Sequence, residues 1–261
     1  MLLAATNRRA MLRILAGGVL WPAAPSFAGD ARIERLIRDA RTFPRISQRI
    51  DFISAALRGT RYQSETLIGS PRQPEQFVVR DDAFDCVTFC ETVLAAASAG
   101  DRAEFAMRLQ FIRYRHGIVN WFERNHYFFD WCRRNVESKT CRWLELPGAV
   151  DIKKTVDTQK GLSRRTFSMR VIPAVALLKQ RAMLERGDIV GFVSQRPNLD
   201  YFHSGLVAFA DKGALLLRHA SESRGRVLDE RMDRFLAVNR VRFVTLVRPL
   251  EPAVPAVVKA G

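Results

Sequence analysis

The last third of the chain differs from the rest in its hydrophobic pattern, and this difference sets the fold class. The segments "DIVGFVS", "HSGLVAFA", "ALLLRHA" and "RFVTLV" are short and rich in Val, Leu and Phe, as strands are. Earlier, apolar residues recur at helical spacing, for example from Ile46 to Leu57. Helices followed by strands predict an α+β fold. We expect one domain over residues 29–261, in which a helical part (about 29–186) packs on a small antiparallel β-sheet (about 187–250).

The N-terminus has the pattern of an export signal. Arg8 and Arg9 precede a short apolar stretch, and small residues flank Phe27 before the sequence becomes polar. This pattern predicts a leader over residues 1–28, cleavage after Ala28 and a periplasmic or secreted protein. The paired arginines favour the twin-arginine route. An ordinary secretory signal and an uncleaved anchor are the alternatives.

The charge of the chain indicates an anionic partner. Lys and Arg outnumber Asp and Glu so that the formal net charge is +15. Nucleic acid, phospholipid and acidic wall polymer are the usual partners of such a protein. Because an exported protein rarely meets nucleic acid, peptidoglycan or another anionic surface is the expected partner.

The segment "FDCVTFCETVLAAA" places Cys86 and Cys90 one helical turn apart. A disulfide at this spacing within one helix is geometrically awkward, and a metal site would need more Cys or His nearby. The remaining interpretation of the pair is one nucleophilic cysteine and one buried cysteine that takes no part in the chemistry. Cys132 and Cys141 flank "RRNVESKT", and either a disulfide or two free thiols fits that spacing.

Asp85 is a favourable N-cap, which puts Cys86 in the first turn of a helix. There the helix dipole and unpaired N–H groups favour a thiolate, and the same N–H groups could hold an oxyanion. A cysteine nucleophile also needs a base, usually histidine. The four candidates are His116, His126, His203 and His219.

Two of these histidines fall on neighbouring predicted strands. Asp211-Lys212-Gly213 forms a natural three-residue hairpin turn, so Ala210 should pair with Ala214. In that register His203 and His219 lie diagonally on one face of the sheet. A slip of one residue would put them on opposite faces.

This register predicts a catalytic triad of Cys86, His203 and His219. Two unrelated histidines and a buried cysteine are the alternative.

Several motifs are similar to those of known families. "FDCVTFCE", "HSGLVAF" and "LLRHAS" resemble the bacterial NlpC-type cysteine peptidases. More closely, the chain resembles an N-acetylmuramoyl-L-alanine amidase-like family. That family shows Asp-Cys-Val-Thr-Phe-x-Glu, matched from Asp85 to Glu91, and an HYF.DW...N pattern, matched from His126 to Asn135. The resemblance covers roughly residues 45–250; Ser204 and Cys90 depart from it.

The resemblance implies a papain-like NlpC-type fold, with the nucleophile helix packed on the small sheet. It also implies Cys86 as nucleophile, His203 as general base and His219 as the residue that orients it. Tyr62, His126 and Trp131 become candidate substrate-binding residues, with core packing as the alternative.

The function implied is hydrolysis of peptidoglycan fragments at the N-acetylmuramoyl–L-alanine amide, through an acyl-enzyme and without a metal or organic cofactor. Two alternatives remain. One is a stem-peptide endopeptidase of the same superfamily, and the other is a non-catalytic basic protein that binds the cell wall or a membrane surface.

Overall fold

A computed structural model describes residues 26–28 and 30–252 of the chain. The helices of this part are α1 (Asp30–Ala40), α2 (Ile46–Ala56), α3 (Cys86–Ser98), α4 (Arg102–Arg113), α5 (Phe128–Glu137), α6 (Ala174–Lys179) and α7 (Met232–Val238). The strands are β1 (Ser26–Ala28), β2 (Arg61–Tyr62), β3 (Ile68–Ser70), β4 (Gln73–Gln76), β5 (Val78–Arg80), β6 (Ala83–Phe84), β7 (Cys141–Trp143), β8 (Val150–Val156), β9 (Arg165–Pro173), β10 (Ile189–Val193), β11 (Tyr201–Phe209), β12 (Leu215–Ser221), β13 (Arg226–Arg231) and β14 (Phe243–Pro249).

One large sheet dominates the structure. Its strand order is β6-β2-β13-β12-β11-β10-β14-β9-β8, with β7 paired to β14 beside this path, and it curls into a half-barrel. The prediction of a papain-like fold with a helical lobe on a small antiparallel sheet is therefore wrong. The sheet recruits strands from both halves of the chain, and β2 pairs with β6 in parallel.

The hairpin formed by β8 and β9 shows why the sheet was underestimated. The sequence analysis gave this basic stretch no strand, yet its two arms pair over seven positions. Val156, Met169 and Val171 are buried, whereas Lys153 and Arg170 are exposed. Side chains alternate between the two faces of a strand. In β8 and β9 the charged residues of the exposed face alternate with the apolar residues of the buried face, so the segment lacks the apolar run by which the other strands were predicted.

Apolar clusters lie on both faces of the sheet. Leu206 and Val207 are neighbours on β11 but belong to different clusters, because successive strand side chains point to opposite faces. The Leu206 cluster includes Ile53 of α2 and Phe89 of α3. The Val207 cluster includes Phe235 of α7. We call these two surfaces the α3 face and the α7 face.

The register predicted for the hairpin of β11 and β12 is confirmed. Leu206 pairs with Arg218, and the Ala210 amide donates to the Ala214 carbonyl at 3.0 Å. Gly213 has φ +74°, a left-handed conformation that glycine adopts without strain.

Two predictions near the N-terminus have different outcomes. The helix expected from Ile46 is confirmed as α2. Residues 1–25 of the predicted leader lie outside the described residues, and β1 pairs in parallel with β5. Among the described helices, none has the length and apolar character needed to cross a bilayer.

Candidate active site

The start of α3 is built by Asp85, as predicted. Its carboxylate accepts hydrogen bonds from the amides of Val87 (2.9 Å) and Thr88 (2.8 Å). The Thr88 hydroxyl in turn accepts from the Asp85 amide at 3.0 Å. This reciprocal cap satisfies free N–H groups of the first turn. Cys86 is the first residue of the helix, and its own amide is outside this cap.

Burial governs the ionisation of the Cys86 thiol. Cys86 is half-buried, and burial raises the pKa of its thiol to about 12. The Asp85 carboxylate raises the pKa further, whereas the hydroxyl and amide of Ser204 lower it. The thiolate expected from the helix dipole is therefore not the resting form, and Cys86 can act as the predicted nucleophile only with a base.

Ser204 brings β11 against the start of α3. Its hydroxyl donates to the Cys86 carbonyl at 3.1 Å. Pairing of β11 with β12 runs only from Leu206 to Phe209, while β11 remains paired with β10 at Ser204. The Ser204 amide can therefore approach the Cys86 sulfur where β11 and β12 separate. The sequence analysis noted Ser204 only as a departure from a family pattern.

The structure brings His203 and His219 together. His203 Nε2 lies 2.6 Å from His219 Nδ1, and the rings are nearly perpendicular, at 88°. Phe235 of α7 packs against both rings, so the pair lies on the α7 face. A Cβ at Gly205 would lie 2.9 Å from the His219 Cβ. Any larger residue at this position would therefore clash with His219.

Both imidazoles are neutral at neutral pH. Burial lowers the pKa of His203 to about 3 and, to a lesser degree, His219 lowers it further. Burial lowers the pKa of His219 to about 4. Since Nε2 of His203 faces His219, Nδ1 is the nitrogen that remains for a thiol proton. Within the described residues no hydrogen bond yet joins Cys86 to His203; Ser204, next to His203 in the chain, contacts Cys86 instead.

Tyr62 is close enough to Cys86 for the two side chains to interact electrostatically. It is half-buried on β2, and burial raises the pKa of its hydroxyl to about 12. Glu222, Cys86 and Asp85 contribute to the same shift in that order. The Tyr62 hydroxyl therefore stays protonated and can donate a hydrogen bond close to the Cys86 sulfur.

With this geometry in place, comparison with known proteins assigns the family. A family model described as AmiA-like, N-acetylmuramoyl-L-alanine amidase-like, matches residues 52–242. The chain belongs to this AmiA-like family. Comparison with curated proteins gave no match.

Solved structures share the AmiA-like fold of this chain. A protein from Legionella pneumophila strain Philadelphia 1 is 23% identical, with a TM-score of 0.75 over 85% of this chain and 95% of its own. An N-acetylmuramoyl-L-alanine amidase from Bacteroides uniformis is 21% identical, with a TM-score of 0.67 over 84% of this chain and 100% of its own. A putative xylanase from Bacteroides fragilis is 24% identical, with a TM-score of 0.63 over 75% and 98%.

Two other candidate residues of this AmiA-like chain lie apart from the thiol and the histidines. Trp131 on α5 is completely buried and stacks on Phe128 with 5.2 Å between ring centroids. The His126 ring contacts the Trp121 carbonyl at 2.7 Å, and burial lowers its pKa to about 4. In the described part of the chain, no hydrogen bond or ring contact links either residue to Cys86 or the histidine pair. These contacts are those of core packing, the alternative weighed for both residues.

A buried ion pair holds α3 in place. Arg113 Nε of α4 lies 2.8 Å from a Glu91 carboxylate oxygen, and both side chains are almost fully buried. Arg113 also donates to the Val78 carbonyl at 2.6 Å. Breaking such a pair by removing one partner is costly, about 3–5 kcal/mol. The acidic residue that ends the Asp-Cys-Val-Thr-Phe-x-Glu motif therefore anchors α3.

All four cysteines are free thiols in this structure. Cys90, Cys132 and Cys141 are buried, and burial raises the pKa of each thiol above its ordinary value. Of the two alternatives for Cys132 and Cys141, the structure has the free thiols. Over residues 26–28 and 30–252, no group of three or more His, Cys, Asp or Glu side chains is placed to hold a metal ion.

Proposed function

We propose that this chain is an exported cysteine amidase that cleaves the N-acetylmuramoyl–L-alanine amide of peptidoglycan fragments. The family description and the printed name of the Bacteroides uniformis structure support a substrate of this class. The observation that carries the mechanism is the 2.6 Å contact between His203 Nε2 and His219 Nδ1. It leaves His203 Nδ1 as a neutral base on the strand that contacts Cys86.

In the first half of the reaction, His203 Nδ1 takes the thiol proton as the Cys86 sulfur attacks the lactyl carbonyl carbon. The oxyanion forms beside two donors, the Cys86 amide and the Tyr62 hydroxyl. The Val87 and Thr88 amides already bind Asp85. The protonated His203 then gives its proton to the L-alanine nitrogen, the C–N bond breaks, and a thioester remains on Cys86.

In the second half, water replaces the departed amine. His203 removes a proton from the water as it attacks the thioester carbonyl, and the C–S bond breaks as His203 returns that proton to the Cys86 sulfur. The products are a muramic acid with a free lactyl carboxylate and a peptide with a free L-alanine amino group. Every proton moves through His203, so no metal enters the scheme.

A defined muropeptide tests the proposed bond. We expect mass spectrometry to show the free sugar acid and the intact stem peptide, with one ¹⁸O atom in the sugar carboxylate when the reaction runs in H₂¹⁸O. Enzyme alkylated with iodoacetamide is the control and should give no product. Cleavage inside the stem peptide would replace the proposed bond with the endopeptidase alternative. Binding without any product would support the non-catalytic alternative.

Export is tested on the protein recovered from a periplasmic extract. N-terminal sequencing is expected to begin at Gly29, because the small residues before it form the cleavage pattern. Replacing Arg8 and Arg9 together by lysine should leave the precursor in the cytoplasm if the twin-arginine route is used. Unchanged export would indicate an ordinary secretory signal. A native cytoplasmic protein with an intact N-terminus would contradict export itself.

A further inference from the structure

The second nitrogen of His219 faces a carboxylate that the scheme above does not use. His219 Nε2 is buried and has no hydrogen-bond partner in the described structure. The nearest acidic oxygen is Oε2 of Glu230 on β13, at 3.7 Å. In the pairing of β12 with β13, His219 lies opposite Leu228 and Glu230 opposite Leu217. Glu230 is therefore diagonal to His219 on the same face of the sheet.

The position of one proton decides whether His203 can act as a base. Each neutral imidazole has one N–H and one acceptor nitrogen. If His219 carries its proton on Nε2, its Nδ1 accepts from His203 Nε2–H, and His203 Nδ1 is a free acceptor. If His219 carries the proton on Nδ1, it donates to His203 Nε2, and His203 must carry its own proton on Nδ1. Only the first arrangement can deprotonate Cys86.

We propose that Glu230 is a positioning residue that selects the first arrangement. A carboxylate attracts an N–H and repels a nitrogen lone pair, so Glu230 favours the proton on His219 Nε2. The 3.7 Å separation exceeds a hydrogen bond, so the preference in this structure is electrostatic. This inference rests on the proposed thiol chemistry and adds a fourth residue to it.

The other groups around His219 do not take this role. Asp229 is the neighbouring carboxylate on β13, and it raises the pKa of His219. However, Arg218 binds Asp229 through two nitrogens, at 2.7 and 2.9 Å. Phe235 of α7 covers the rings of His203 and His219 and offers no hydrogen-bond acceptor. Glu230 is the acceptor that faces Nε2.

Three substitutions at this position separate a proton-selecting role from a structural one. Glu230→Gln can still present an oxygen to Nε2, Glu230→Ala removes the acceptor, and Glu230→Lys presents a donor that favours the wrong arrangement. Asp233→Asn is the matched control. It removes an exposed carboxylate three residues after Glu230, one that pairs with Arg231. Two readouts apply to the full chain: the ¹⁵N NMR tautomer of His219, and the rate of Cys86 alkylation by iodoacetamide, mapped by mass spectrometry.

We expect the alkylation rate to fall by about 3-fold in Glu230→Gln, about 10-fold in Glu230→Ala and about 100-fold in Glu230→Lys; the scale is the 10–100-fold loss known for groups that orient metal-bound histidines. The His219 proton should move from Nε2 toward Nδ1 in the same order, and Asp233→Asn should match the wild type. An unchanged tautomer across the series, or equal losses in Gln and Lys, would overturn the inference. If Glu230→Ala does not fold, the comparison of Glu230→Gln with Glu230→Lys tests the inference by itself.

The alkylation assay uses no muropeptide. If the proposed muropeptide is not cleaved, the expected alkylation rates still hold, because alkylation measures the reactivity of the Cys86 thiol directly. Failure of the Glu230 inference would likewise leave cleavage of the muropeptide by wild-type protein unchanged.

Discussion

Cys86→Ala is expected to lower kcat/KM on a defined muropeptide by at least about 10³-fold, because no other group at the site can form the thioester. The fold should survive. Asp85 caps α3 through the Val87 and Thr88 amides, and the Ser204 hydroxyl donates to the Cys86 carbonyl, which the substitution keeps. Activity measured together with a thermal melt checks both statements.

Cys90→Ala is the matched control, one helical turn further along α3. Cys90 is completely buried, so loss of its sulfur leaves a small cavity and should cost about 1 kcal/mol of unfolding free energy. Activity should stay within about threefold of the wild type, since packing losses at this scale do not touch the reacting atoms. Equal loss of activity in both variants, with both proteins folded, would contradict Cys86 as the nucleophile.

The thiol itself shows how two physical effects compete at this site. A helix N-terminus stabilises a negative charge by up to about 2 kcal/mol. Burial of a charged group costs several times more, about 4–7 kcal/mol when it is complete. Sequence spacing reveals the helix start but not the degree of enclosure, so the expected thiolate does not match a thiol whose pKa is about 12. If a neutral imidazole is the base for this neutral thiol, as proposed, the proton must move during the attack.

Local signals in the sequence are sufficient for the parts of the site that depend on neighbours in the chain. The cap by Asp85 follows from one residue and the start of an apolar run. The facing of His203 and His219 follows from a three-residue turn that ends at Gly213. The structure confirms both arrangements.

The extent of the sheet and the partner of Cys86 depend on contacts that are distant in sequence. β2 and β6 are two residues long, too short for any periodic pattern, and they join the sheet only because other strands are present. Ser204 meets Cys86 across 118 residues. The one available signal was alternation: a residue next to His203 must point to the opposite face, where α3 packs.

Replacing His203 or His219 is expected to cause the second large loss of activity. His203→Ala removes the base and should lower kcat/KM by about 10³-fold or more. His219→Gln keeps a side-chain oxygen that can accept from His203 Nε2–H, so the loss should be smaller, about 10–100-fold. The ranking follows from the 2.6 Å contact, in which His219 holds the His203 ring through Nε2 and leaves Nδ1 as its free nitrogen.

Added imidazole separates loss of the base from loss of structure. The space left by His203→Ala is bounded by Phe192 and Phe235, which pack against the native ring, so free imidazole can enter it and take the thiol proton. We expect imidazole to restore part of the activity of His203→Ala in proportion to its concentration, and to leave Cys86→Ala inactive. A folded His203→Ala protein that keeps full activity without imidazole would show that another group deprotonates Cys86. A His219→Gln loss as large as that of His203→Ala would show that His219 takes part in the proton transfer itself.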